Sequence, residues 1–210
     1  MNIPFHPNTG DGTHCFQAVL KMTLGAFEPD TEYSYDQLDQ ISQKVEGKWT
    51  WPTAAMVWLM ERGYEVKLIE EFDYKQFAER GMDYLIAKCG QEVAEAQADN
   101  SLIEEERKTA AAFVERAPVD YRVPSLDDLK QLVSDGWVVI CNINAALLQH
   151  QPGYTGHFVV ITEVNDKEVV LHDPGLPPCP GFAAEHASFE KAWGYPAATD
   201  KNVLAIRKKS

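Results

Sequence analysis

The hydrophobic residues change period partway along this chain, and that change restricts the architecture more than any other feature. Phe16, Val19, Leu20 and Leu24 recur at helical spacing after an arm rich in turn formers (Pro4, Pro7, Asn8, Gly10, Asp11, Gly12). Thr13 is the expected N-cap of this first helix and Gly25 its expected stop. Ser34 with Gln37 three residues on predicts a capping box for a second helix that carries Leu38, Ile41 and Val45 and closes at Gly47. Pro52 opens a third, running through Val57, Trp58 and Leu59 to Gly63. Ser125 and Asp128 cap another around Leu126, Leu129, Leu132 and Val133, ended by Gly136. Beyond that glycine the period becomes that of strands, at 137–143, 157–164 and 168–172, the last two joined by a turn at Asn165 and Asp166. A short helix capped by Ser188 and a strand at 203–207 follow, and an earlier short strand is predicted at 64–69. Helices first and antiparallel strands afterwards make an α+β fold the natural reading. With 210 residues, 45% of them hydrophobic, one domain over 1–210 with a sizeable core is expected.

Charge removes several function classes. Thirty-two acidic against nineteen basic residues give a net charge of −13, so a phosphate-tracking nucleic-acid surface has no electrostatic source. No apolar run reaches the roughly 20 residues of a membrane span, and residues 1–7 lack the basic and apolar regions of a signal peptide. A cytoplasmic protein beginning near Met1 is therefore expected, with neither nucleic acid nor membrane as partner. Cys15, Cys89, Cys141 and Cys179 show no CxxC spacing, which suggests neither a disulfide framework nor a zinc ribbon. His150, His157, His172, His186 and Cys179 fit no metal-ligand spacing, and no metal or organic cofactor is expected. Between Glu70 and Arg116 lie twelve acidic and six basic residues and no proline, which reads as a charged helical insertion at about 70–117.

Three residues stand out chemically. Cys15 sits at the start of the first helix, where unpaired backbone N–H groups and the positive end of the macrodipole stabilise a thiolate. The same N–H groups can hydrogen-bond an oxyanion on a carbonyl attacked by the sulfur. The plain alternative is a small buried core cysteine. His157 opens an otherwise apolar strand directly after Gly153, Tyr154, Thr155 and Gly156, a loop that leaves one side of an imidazole open. Asp173 ends the adjoining strand sixteen residues on, where it can orient His157; Asp-Pro-Gly is also simply a good turn.

A cysteine near the N-terminus, a strand-opening histidine and an aspartate ending the next strand occur in an order that resembles the papain-like cysteine peptidases. The resemblance is strongest to the bacteriocin-processing (double-glycine leader) peptidases and their stand-alone relatives. IPFHPNTGDGTHCFQAVLKM resembles that family's N-terminal arm and cysteine-bearing helix, SLDDLKQLVSDGWVVICNIN its helix and following strand, GHFVVITEVNDKEVVLHDPG its histidine and aspartate hairpin, and FEKAW its closing helix. These segments cover most of residues 1–69 and 118–207. Where the family usually carries a glutamine as oxyanion side chain, this sequence has Asn8; where a glycine commonly follows the cysteine, it has Phe16.

The resemblance implies a papain-like α+β fold, an N-terminal helical part followed by a C-terminal antiparallel sheet. It implies a hydrolase in which Cys15, activated by His157 and oriented by Asp173, cleaves an amide or peptide bond through a thioester, with Asn8 and the Cys15 N–H holding the oxyanion. An acyl or aminoacyl transferase using the same thioester, and a peptide-binding pseudoenzyme, are the alternatives. The insertion at 70–117 is expected to flank the cleft and, being acidic, to favour cationic substrates.

Overall fold

The division into a helical part and a sheet is realised in a computed structural model that describes residues 1–209. The helical part comprises α1 (Cys15–Phe27), α2 (Tyr35–Ser42) and α3 (Thr53–Glu61), followed by strand β1 (Tyr64–Glu70). The charged segment forms α4 (Tyr74–Arg80), α5 (Met82–Cys89), α6 (Gln91–Asn100) and α7 (Ile103–Val114). Then come β2 (Val119–Asp120), α8 (Leu126–Ser134), β3 (Val138–Asn144), the short α9 (Ala145–Leu148), β4 (Gly156–Val164), β5 (Glu168–Asp173), β6 (Cys179–Glu185), α10 (His186–Trp193) and β7 (Asn202–Lys208). No helix among the described residues is long and apolar enough to cross a membrane.

The capping boxes of α2 and α8 form as their sequences require, through Ser34 with Gln37 and Ser125 with Asp128. Other helix ends differ from expectation for identifiable reasons. His14, not Thr13, precedes α1, and its side chain makes no cap bond. The helix runs past Gly25, which does not take the left-handed conformation of a helix stop; its missing Cβ instead admits the ring of Pro4, since a Cβ there would stand 2.7 Å from the Pro4 Cγ. α2 stops at Ser42, before Gly47, because Gln43 already takes the left-handed conformation (φ 52°). Pro52 is the residue before α3, and α10 begins at His186, two residues ahead of Ser188.

All seven strands form one sheet in the order β2-β1-β7-β3-β4-β5-β6. Among the described residues only β1 and β2 run parallel; every other neighbouring pair is antiparallel. Both faces are buried. Val138, Ile140, Val160, Leu204 and Ile206 point to the face covered by α1–α7. Val139, Cys141, Ile143, Val203 and Ala205 point to the face covered by α8 and α10, where Phe189 and Trp193 close the core.

The charged segment is not a loose excursion. Tyr74, Phe77, Tyr84, Leu85, Ala94, Ile103, Ala110 and Phe113 are buried in the same apolar cluster as α1. Trp51 stacks on Phe77 with ring centroids 5.0 Å apart. Replacing the segment by a flexible linker would bare this cluster to water, so excision would destabilise the whole helical face.

Candidate active site

Helix α1 points its first residue at the mouth of strand β4. Phe16, Val19, Leu20 and Leu24 bury one side of the helix, and Phe16 meets Phe158 of β4 edge to face with centroids 5.0 Å apart. This contact brings Cys15 beside the start of β4, where His157 stands, 7% exposed. Among the described backbone N–H groups, that of Cys15 has no main-chain partner, as the first turn of a helix requires.

His157 lies between Cys15 and Asp173. Its Nε2 is 2.7 Å from Asp173 Oδ1, and both side chains are buried. A carboxylate only accepts, so Nε2 carries the proton and Nδ1 is the nitrogen left for Cys15. Asp173 Oδ1 also accepts the Gly175 backbone N–H at 2.7 Å. The β4–β5 hairpin supplies this geometry, with Asn165 making the turn that brings the two strands together.

The electrostatics follow from this arrangement. Burial pushes the Cys15 thiol up, but the hydrogen bonding and charge of His157, with the Phe158 and Phe16 backbone N–H groups, bring it below its ordinary value. Burial favours neutral His157, yet Asp173 and Cys15 outweigh it and raise the imidazole to about 9. Burial likewise opposes the Asp173 carboxylate, and the His157 bond and Gly175 N–H overcome it, so its pKa lies below the ordinary value. Both shifts favour a thiolate and imidazolium pair over the neutral thiol and imidazole.

Asn8 is buried at 8% exposure and ties both halves of the site together. Its backbone N–H donates to the Pro174 carbonyl at 2.8 Å, next to Asp173. Its side-chain Oδ1 accepts the backbone N–H groups of His14 at 2.8 Å and Thr9 at 2.9 Å. Two N–H donors fix the oxygen end of the amide, so its NH2 end is free to donate, and it has no hydrogen-bond partner among the described residues. His14 itself turns to Asp39, with Nε2 3.2 Å from Oδ2, and anchors the helix start rather than joining His157.

A cavity of about 710 Å³ opens at Cys15, bounded by Phe16, Trp51, Phe72, Tyr74, Tyr154 and Phe158 among others. From the charged segment only Glu70, Phe72, Tyr74 and Gln97 reach it; the remaining charged side chains on its walls are Lys44 and Lys48. The segment therefore flanks the cavity with aromatic rings, and its other acidic residues do not line it. Gly175 escapes a sequence reading. A Cβ on it would stand 2.8 Å from Asp173 Oδ1 and 3.3 Å from His157 Nε2, so the residue must be small for the pair to fit. Among the described residues no three His, Cys, Asp or Glu side chains gather as a metal ion would require.

The chain has the papain-like α+β fold of cysteine peptidase domains. It is similar over 99% of its length to the whole peptidase domain of Streptococcus ComA, a bi-functional ABC transporter involved in a quorum-sensing pathway, with TM-score 0.54 and 11% identity. It is also similar over its full length to 96% of a C39-like peptidase from Bacillus anthracis, with TM-score 0.51 and 16% identity. No family model matches the sequence, and no curated protein does.

Proposed function

We propose that this protein is a thiol-dependent hydrolase that cleaves a peptide or amide bond through a Cys15–His157–Asp173 triad. The observation that carries the reading is the placement of His157, with Nε2 committed to Asp173 and the other ring nitrogen left for Cys15. The Cys15 thiolate attacks the carbonyl carbon and forms a C–S bond, and the carbonyl oxygen becomes an oxyanion held by the Cys15 N–H and the Asn8 NH2 group. The His157 imidazolium passes its proton to the leaving nitrogen as the C–N bond breaks, which leaves a thioester. A water molecule, deprotonated by His157, then attacks the thioester; the C–S bond breaks and the acid departs. Four unpaired cysteines and a thiol nucleophile suit a reducing compartment such as the cytosol.

Acid quenching during turnover of a mixed peptide library, followed by mass mapping, tests the reading. An acyl adduct on Cys15 and new peptide ends are the expected result; cleavage with no adduct at Cys15, or none at all, contradicts it. Added amine acceptors captured in place of water would identify a transferase.

Two variants follow from the geometry. Asn8→Ala removes one of two oxyanion donors and should lower kcat by about a hundredfold to a thousandfold, with little change in peptide binding to the same protein. An unchanged kcat would mean that another donor serves the oxyanion. Gly175→Ala drives a methyl group into the His157 and Asp173 pair and should lower kcat by about tenfold to a hundredfold, the scale of a displacement near 1 Å. Full activity in Gly175→Ala would show that the pair tolerates displacement.

A further inference from the structure

Across the floor of the cavity runs a row of four residues, one from each of four adjacent strands. Phe158 of β4 stands opposite Asn142 of β3. Asn142 is bonded in turn to Asn202 of β7, whose amide accepts the Asn142 N–H at 2.7 Å and donates to its carbonyl at 3.0 Å. Asn202 stands opposite Glu70 of β1. All four residues line the cavity. Cys15 lies at the β4 end, where the Phe158 backbone N–H acts on its sulfur. Three strand spacings put Glu70 about 14 Å from that end, the length of roughly four residues of extended peptide.

Glu70 is an unusual residue to find there. One carboxyl oxygen accepts the Tyr74 hydroxyl at 2.8 Å, and the other has no hydrogen-bond partner among the described residues. Around it the walls are aromatic, with Trp51, Phe72 and Tyr74. Burial pushes its carboxyl up to about 7, and neither the Tyr74 bond nor the charge of Lys88 offsets that. The two lysines on the cavity walls, Lys44 and Lys48, come from the loop after α2 rather than the sheet floor, and Lys48 already donates to the Asp99 carbonyl at 2.6 Å. A half-buried carboxylate with an open oxygen facing the cavity is completed by an ammonium or guanidinium group. Midway, the Asn142 side-chain amide has no partner among the described residues and is free to bond a peptide main chain.

We propose that Glu70 selects peptides that carry a lysine or arginine about four residues from the bond Cys15 attacks. This rests on the cysteine peptidase reading and assigns a basic preference to one floor residue instead of to the acidic surface of the inserted helices. The test compares peptides that differ only in lysine or norleucine at each position two to six residues to either side of the cut. The intact protein is assayed for cleavage and Cys15→Ala for binding. Lysine at one position about four residues away should raise kcat/KM, and tighten binding to Cys15→Ala, by about 10- to 100-fold over norleucine. In Glu70→Gln, which keeps the side chain's shape, that ratio should fall toward one; the lysine-to-norleucine comparison in the unaltered chain needs no variant to fold. Cleavage without a basic preference, or with one unmoved by Glu70→Gln, overturns this inference and leaves the peptidase reading standing. A Glu70-dependent basic preference in binding without any cleavage overturns the peptidase reading and upholds the site. Neither cleavage nor binding overturns both.

Discussion

Cys15→Ala is expected to lower kcat for peptide cleavage by about five to six orders of magnitude, His157→Ala by as much, and the double variant by no more than either. The thiolate is favoured chiefly by the hydrogen bond and the positive charge of His157 beside it, and the imidazolium is raised partly by the sulfur. Each group is therefore ineffective alone. Single and double variants measured on one peptide give the answer, and losses that multiply would mean that the two residues act in separate steps.

Asp173→Asn should keep the fold and lower kcat by about two to four orders of magnitude. Its Oδ1 accepts both the His157 Nε2–H and the Gly175 N–H, and an amide oxygen in that place still accepts both but no longer carries the charge that favours imidazolium. The pH profile adds a sign. Activity needs thiolate together with imidazolium, so it rises with pH as Cys15 ionises, below its ordinary range, and falls as His157 loses its proton, near 9. Asp173 supplies part of the upward shift of His157. Its neutral replacement should therefore draw the alkaline limb to lower pH and narrow the active window from that side. An alkaline limb that stays in place would show that Asp173 does not tune the imidazole.

What the sequence displayed and what it concealed divide along physical lines. The His157–Asp173 hairpin was legible because both residues sit in alternating apolar strands joined by a short turn, all within local reach. Cys15 was legible because the turn-rich arm and the helical period meet next to it. β6 was concealed: Pro180 and Gly181 interrupt any alternation, and its pairing with β5 is that of an edge strand. Gly25 looked like a helix stop and instead makes room for Pro4, a contact that only the folded arm creates. Glu70 looked like the first residue of a solvated acidic run. Its place on the cavity floor depends on β1 pairing with β7, more than 130 positions later, and no local pattern encodes that register. Phe72 and Tyr74, just after β1, bring aromatic rings to the cavity where the net charge of the segment implies an acidic wall.

Alkylation rates measure most directly whether Cys15 is a thiolate paired with His157. Iodoacetamide at pH 6 should modify Cys15 much faster than Cys89, Cys141 or Cys179 in the folded protein, because Cys15 is lowered whereas burial raises Cys89 and Cys141. In His157→Ala the Cys15 rate at that pH should collapse, since burial then acts on the thiol without its cationic partner. Labelling of Cys15 no faster than that of the other three, or unchanged in His157→Ala, would contradict the account.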